Sequence, residues 1–177
     1  MTTVLTLPGW YGSDALHWQT RWERLHGALR VEQTDWEHPE LSSWIAALDR
    51  AVAAQPGRVV LVAHSLGCAL VAHWAGYAHA AGLATIDAAL LVAPPDLERD
   101  AAPVELRGFA PMPSRALPFA SILVASTNDP FSSLDRSAQF ASEWGSDLVS
   151  IGAAGHINTD TGLGDWPSGW ELVESWL

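Results

Sequence analysis

The sequence predicts an α/β chain: a three-layer sandwich in which a mostly parallel sheet of about six strands carries helices on both faces. Three observations lead there. Short, continuous apolar runs at residues 59–63 and 88–93 suit strands buried on both sides, as in a parallel sheet. Segments with apolar residues at three- and four-residue spacing alternate with those runs, the pattern of βα units. Proline and glycine clusters, such as Gln55-Pro56-Gly57 and Pro94-Pro95, punctuate the joins. A chain of 177 residues is expected to form one domain, residues 1–177, with a single substantial core.

The first strand covers residues 4–7 and ends in the turn-rich loop Pro8-Gly9-Trp10-Tyr11-Gly12-Ser13. Asp14 reads as the N-cap or a first-turn acid of a helix carrying Trp18, Trp22 and Leu25 on its inner side. His17 on that helix reads as structural rather than substrate-touching. Residues 29–34 alternate and suit an edge strand. Ser42 or Ser43 is expected to cap a second helix with Trp44, Ile45, Leu48 and Val52.

The stretch Arg58-Val59-Val60-Leu61-Val62-Ala63-His64-Ser65-Leu66-Gly67-Cys68 reads as a strand, a sharp turn and a helix start, with a serine at the apex. Leu66, Ala69, Leu70, Val71, Trp74 and Tyr77 then repeat at helical spacing. Ala63-His64-Ser65-Leu66-Gly67 is a near match to the G-x-S-x-G elbow, in which a tight strand-to-helix turn lifts a serine above the sheet. A serine hydroxyl needs such isolation, and a base, to act as a nucleophile. Small residues two positions to either side let the two backbones pass closely. Ala63 stands where glycine is usual and adds one methyl. The N–H of Leu66 is the first candidate donor to a developing oxyanion. The N–H of Trp10, which Gly9 allows to approach, is the second. His64, adjacent to the serine, faces the other way and is expected to be a packed, hydrogen-bonded residue.

A buried strand follows at residues 88–93, and a long irregular segment, 96–118, comes after it. Phe109 and Met112 in that segment are expected to wall an acyl pocket. The next strand, 121–126, ends in Thr127-Asn128-Asp129-Pro130-Phe131, which sets a carboxylate just beyond a strand terminus. After a helix through Phe140 and Trp144 comes a last strand, 147–151. It leads into Gly152-Ala153-Ala154-Gly155-His156. A final helix is expected to begin at Asp165 and contain Trp166, Trp170 and Trp176.

Ser65, Asp129 and His156 each follow the C-terminal end of a separate strand, and in a parallel sheet those ends share one edge. Asp135 falls within a helix and Asp147 opens a strand at the opposite edge, so Asp129 is the better acid. The chemistry assigns Ser65 as nucleophile, His156 as base and then acid, and Asp129 as the group that fixes the imidazole tautomer.

Composition excludes other classes. The net charge is −11 and there is no lysine, which argues against nucleic acid and anionic membrane surfaces and removes lysine nucleophiles. No metal site or cofactor is expected: His73 and His79 are six apart, not a ligand spacing, and the glycines of dinucleotide and Walker loops are missing. The single cysteine, Cys68, allows no internal disulfide and reads as a small core residue, which suits the cytoplasm. The first residues carry no basic region or cleavage site, so no secretion signal is expected. Ten tryptophans should be mostly buried or half-buried.

Several stretches together carry a family resemblance: Leu7-Pro8-Gly9-Trp10 through His17-Trp18, Ala63 to Cys68, and Leu117-Pro118-Phe119 with Ser126 to Phe131. Gly155-His156-Ile157-Asn158 and Gly162-Leu163-Gly164-Asp165-Trp166-Pro167 complete it. The chain resembles the small serine hydrolase family related to retinoblastoma-binding protein 9. The resemblance implies an α/β-hydrolase-like sandwich without a large lid domain, and its Ser–Asp–His triad falls on Ser65, Asp129 and His156. The expected substrate is a small carboxylic ester, or a thioester or amide, with Gly9, Phe109, Met112 and Trp166 in contact with it. Two other readings stay open: a protein-binding member with a little-used triad, and an acyltransferase.

Overall fold

The computed structural model describes residues 2–78, 83 and 85–177. Six strands form one sheet: β1 (Thr2–Leu7), β2 (Leu29–Arg30), β3 (Arg58–His64), β4 (Ile86–Val92), β5 (Ala120–Ala125) and β6 (Asp147–Ser150). Their order is β2-β1-β3-β4-β5-β6, and every pairing is parallel. The order reverses between β1 and β3, which places a crevice over the C-terminal ends of those two strands.

Strand alternation divides the core into two layers. Leu5, Leu7, Leu61, Ala63, Leu91 and Leu123 point to one face, where α2 (Leu41–Ala53), α3 (Leu66–Tyr77) and α4 (Leu134–Trp144) pack. Val4, Val60, Val62, Leu90, Val92 and Val124 point to the other, under α1 (Trp18–His26) and α5 (Pro167–Glu174). Neighbouring residues of the central strands thus enter different layers, which is why the runs are continuously apolar. All ten tryptophans are buried or half-buried. Trp18, Trp22, Trp166 and Trp170 interlock beneath α1 and α5, with edge-to-face rings 4.7 Å apart at Trp18–Trp22 and 5.1 Å at Trp22–Trp170.

Four sequence expectations are corrected. The edge strand β2 is two residues long rather than spanning 29–34, because β1 runs out: Leu29 and Arg30 pair with Leu5 and Thr6, and Pro8 ends the ladder soon after. Helix α1 begins at Trp18, capped by His17, whose Nδ1 accepts the Gln19 N–H. Asp14 instead closes the preceding turn by accepting the N–H groups of Leu16 and His17. Helix α2 starts at Leu41 and lacks a side-chain cap, since the Ser43 hydroxyl donates back to the Glu40 carbonyl. Helix α5 begins at Pro167, after Trp166 adopts a left-handed φ of 43°, so Asp165 stays in the loop. The irregular segment holds one 3₁₀ helix, Val104–Phe109. His79 lies outside the described residues.

Candidate active site

Ser65 sits between β3 and α3 with φ 54° and ψ −122°, a conformation that L-residues rarely adopt. The surroundings hold it there. Its N–H donates to the Val92 carbonyl at 2.9 Å, and its carbonyl accepts the Cys68 N–H at 2.8 Å. Gly67 lies against the end of β1: a Cβ there would collide with the carbonyl of Leu7. Gly9 lies over the serine, where a Cβ would stand 2.8 Å from the Ser65 Cβ and 3.3 Å from the Leu66 nitrogen. The first loop therefore passes directly over the turn, with Trp10 next in line. Trp10 is pinned by its indole N–H, which donates to the Glu37 carbonyl at 2.8 Å. Leu66 opens α3, so its N–H has no acceptor inside the helix.

Ala63 fits without strain. Its methyl is fully buried among the residues packed under α2 and α3. Ala63→Gly is expected to cost about 1–2 kcal/mol of stability, through lost burial and a looser strand, without raising turnover. Urea denaturation beside an activity assay checks this.

Three side chains form a hydrogen-bonded chain. The Ser65 hydroxyl donates to His156 Nε2 at 2.8 Å. His156 Nδ1–H donates to Asp129, at 2.9 Å to Oδ2 and 3.0 Å to Oδ1. Asp129 Oδ1 also accepts the Phe131 N–H at 2.8 Å, which locks the carboxylate's orientation. Asp129 is nearly buried, with 3% of its side chain exposed, and His156 retains 11%. An imidazole held with Nδ1 protonated presents Nε2 as an acceptor, so this arrangement can draw a proton from the serine.

The loops bearing Asp129 and His156 are tied to each other. Ser126 Oγ accepts the Ala154 N–H at 2.9 Å, and Asn128 Oδ1 accepts the Gly155 N–H at 2.7 Å. The indole of Trp18 donates to the Ile157 carbonyl at 2.8 Å. The Thr159 hydroxyl joins the same loop to Asp14 at 2.7 Å. Ser126 and Asn128 were visible only as part of the family-like motif, since a polar residue at a strand end has many uses and its partner lies 27 or 28 positions away.

His64 is buried as expected, and its Nε2–H donates to the His156 carbonyl at 2.9 Å. Its ring is tilted against the His156 ring, 5.0 Å centre to centre, and lies beside His17 at 4.8 Å. Burial, then the neighbouring His156 and His17, hold His64 well below the ordinary histidine range. Burial likewise lowers His17, to about 4, against a partial opposing pull from Asp14. Both rings bind protons more readily in the unfolded chain. Between pH 6.5 and about 4 the unfolded state therefore holds more protons at His17, and stability falls as pH drops through that window. The full loss from His17 is on the order of 3 kcal/mol. A melting temperature that drops steeply from about pH 7 to about pH 4.5, and less steeply in His17→Asn, is the expected result; a flat profile would refute it. The Cys68 thiol is buried, and burial pushes its pKa up, which suits a core residue.

Two cavities meet at Ser65 and His156. One, of about 320 Å3, is walled by Tyr11, Leu97, Pro103, Leu106 and Phe131. The other, of about 180 Å3, is polar and includes Gly9, Asp14, His17, Asn158 and Asp160. Trp10 borders both. Of the expected substrate contacts, only Gly9 lies here. Phe109 is wholly buried, edge-to-face on Trp44 at 5.5 Å, with its carbonyl accepting His73 Nε2–H at 2.8 Å. Met112 lines a separate depression beside Pro113 and Arg136. Trp166 packs on Trp18 and Trp22 at 5.0 and 5.7 Å. The segment 96–118 does contribute the apolar wall, but through Leu97 and Leu106, because the 3₁₀ helix turns Phe109 into the core. Among the described residues, no cluster of histidine, cysteine or carboxylate side chains could hold a metal ion, and no helix is long and apolar enough to cross a membrane.

The comparisons with known proteins agree with this architecture. A family model described as serine hydrolase matches residues 4–175. A Pectobacterium atrosepticum protein described as a YdeN-like hydrolase is 30% identical, with a TM-score of 0.86 over 99% of this chain and 90% of that one. The ydeN gene product of B. subtilis is 18% identical, with a TM-score of 0.74 over 99% of this chain and 98% of its own. Est1E of Butyrivibrio proteoclasticus, solved with ferulic acid bound, is 13% identical, with a TM-score of 0.75 over 99% and 89%. The last two likenesses are of fold. No curated protein matches the chain.

Proposed function

The chain belongs to the serine hydrolase family, and from that premise we propose that it cleaves small carboxylic esters through an acyl-enzyme on Ser65. The observation that carries this reading is the unbroken Ser65–His156–Asp129 hydrogen-bond chain at the mouth of two cavities. His156 takes the Ser65 proton as Oγ attacks the acyl carbon, and gives it to the departing alcohol oxygen. Water then repeats the sequence and releases the acid. The N–H groups of Leu66 and Trp10 hold the oxyanion. Thioesters and amides use the same steps. The apolar cavity supports a short or medium acyl chain, and the closer kinship with retinoblastoma-binding protein 9 rests on the shared motifs. The lone buried cysteine supports a cytoplasmic setting.

Covalent labelling with a fluorophosphonate, located by mass spectrometry, tests the reading. Wild type is expected to be labelled on Ser65, Ser65→Ala not at all, and His156→Ala slower by about three orders of magnitude or more. A folded wild type that resists labelling and hydrolyses no ester would turn attention to a binding role.

A further inference from the structure

Gln19 is wholly buried, and the chemistry described above does not use it. It comes from the first turn of α1, where the His17 ring accepts its backbone N–H at 3.2 Å. Both hydrogens of its side-chain amide are bonded. Nε2 donates to the Leu7 carbonyl at 3.2 Å and to the Val62 carbonyl at 3.0 Å. Oε1 accepts the Ser13 hydroxyl at 2.7 Å. Carbonyl oxygens only accept, so the network permits one orientation of the amide. A buried amide is costly unless it is bonded in this way, and a fully bonded one is rigid.

The three partners are the points from which the reacting groups hang. Leu7 ends β1, and Val62 lies in β3 three residues before Ser65. The ladder between these neighbouring strands stops at the Leu7–Ala63 pair. Past it, the chain leaves the sheet, crosses over Ser65 at Gly9 and reaches Ser13. One amide thus ties both ends of that loop to the strand that carries the nucleophile. Thr20 and Arg30 also hold the Ser13 carbonyl, at 3.2 Å each. Those bonds fix the loop's end to α1 and β2, and Gln19 joins it to β3 as well. Within the loop, Tyr11 N–H donates to the Trp36 carbonyl and Gly12 N–H to the Gly9 carbonyl, each at 3.0 Å. Trp10 N–H has no acceptor among the described residues, which leaves it for a ligand oxygen. Leu66 N–H, the other donor, is fixed by the turn after β3. The placing of one donor against the other depends on how the exit of β1 is set against β3, and Gln19 bonds to both.

We infer that Gln19 is the positioning residue of the oxyanion site: it touches no substrate, and it sets the loop that bears Trp10 N–H against Ser65 and Leu66 N–H. This rests on the ester-hydrolase reading above and adds to it a residue that the reading does not contain. As Ser65 Oγ bonds to the acyl carbon, the carbonyl π pair moves onto oxygen. It returns as the ester C–O bond breaks and the serine proton leaves on the alcohol through His156. Donors already in place when that charge appears need no reorganisation. A loop that drifts must be ordered in the transition state, so the loss falls on kcat rather than KM.

The test compares p-nitrophenyl butyrate with its thiono analogue, in which sulfur replaces the carbonyl oxygen. Sulfur is larger and a poor acceptor. The oxo-to-thiono rate ratio, taken against the same ratio for hydroxide, therefore reads how well the two N–H groups hold an oxyanion. Gln19→Met keeps the length and bulk and removes the amide. It is expected to lower kcat for the oxo ester about tenfold to a hundredfold, below the cost of losing an oxyanion donor outright, with KM little changed. The thiono ester is expected to lose much less, so the ratio falls by a similar factor. A purely structural role would lower the active fraction and both rates alike. An unchanged ratio in folded Gln19→Met therefore overturns the inference, as does a wild-type ratio no greater than that of hydroxide. In either case fluorophosphonate labelling of Ser65 leaves the hydrolase reading standing, whereas loss of labelling and of all ester hydrolysis in wild type removes both. Should Gln19→Met fail to fold, Gln19→Glu decides. Buried against carbonyl oxygens and protonated, it keeps the shape and an acceptor for Ser13, but one O–H replaces two N–H donors. A lower ratio in that variant supports the inference, and an unchanged one overturns it.

Discussion

Asp129→Asn is expected to lower kcat by about four orders of magnitude while leaving the fold intact. The reason lies in which atom each carboxylate oxygen faces. Oδ1 takes the Phe131 N–H at 2.8 Å and lies 3.0 Å from His156 Nδ1, and Oδ2 lies nearest that nitrogen at 2.9 Å. An asparagine keeps its carbonyl oxygen on the Phe131 N–H, because its amide nitrogen cannot accept there. The amide NH2 then faces Nδ1 and donates to it. That contact favours the tautomer with the proton on Nε2, in which the Ser65 hydroxyl loses its acceptor. The shape is preserved and the tautomer is reversed. Steady-state kinetics, the rate of fluorophosphonate labelling and a thermal melt together check this. Turnover within tenfold of wild type would mean that Asp129 does not set the imidazole's proton.

Gly67→Ala is expected to destabilise the protein on the order of 3 kcal/mol, at the upper end of overpacking costs, or to prevent folding. The added Cβ would meet backbone: it would overlap the Leu7 carbonyl oxygen and lie 3.0 Å from its carbon and 3.2 Å from the Pro8 oxygen. Neither atom belongs to a side chain that can swing away. Relief requires α3 to separate from β1, which also moves Gly9 and Trp10 away from Ser65, so activity should fall with stability. Gly76→Ala on the same helix is the control. There the nearest atom, at 3.1 Å, is the end of the Arg115 guanidinium, a long side chain that can shift. The helix gains from alanine, and the net change should stay within about 1 kcal/mol. Urea midpoints for the two variants make the comparison. Equal midpoints would mean that the close approach at β1 is not what Gly67 serves.

The sheet was legible because its signals are local. Residues 59–63 enter two core layers in alternation, so they read as one apolar run, and strands alternating with helices imply the parallel pairing, whereas the order β2-β1-β3-β4-β5-β6 is seen in the structure. The positions of Ser65, Asp129 and His156 were legible for a related reason. Each follows a strand, and a parallel sheet gathers those ends on one edge whatever the packing details. Boundaries were less legible. The cap of α1 is His17 rather than Asp14, because Asp14 is already used by the turn and by Thr159, a partner 145 residues away.

The lining of the cavities could not be read from residue type. Phe109, Met112 and Trp166 are as apolar as Leu97 and Leu106, and all but Trp166 come from the same segment. Which of them faces Ser65 depends on a 3₁₀ turn and on contacts with α2 and α3 that are distant in sequence. His17 shows the same division. Its place beside the first loop was plain in the sequence, but its role as the cap of α1 and its burial against His64 of β3 were not. Periodicity and turn chemistry act between near neighbours and are written in the order of residues. Burial and hydrogen-bond satisfaction are settled between segments, by which surfaces the folded chain brings together.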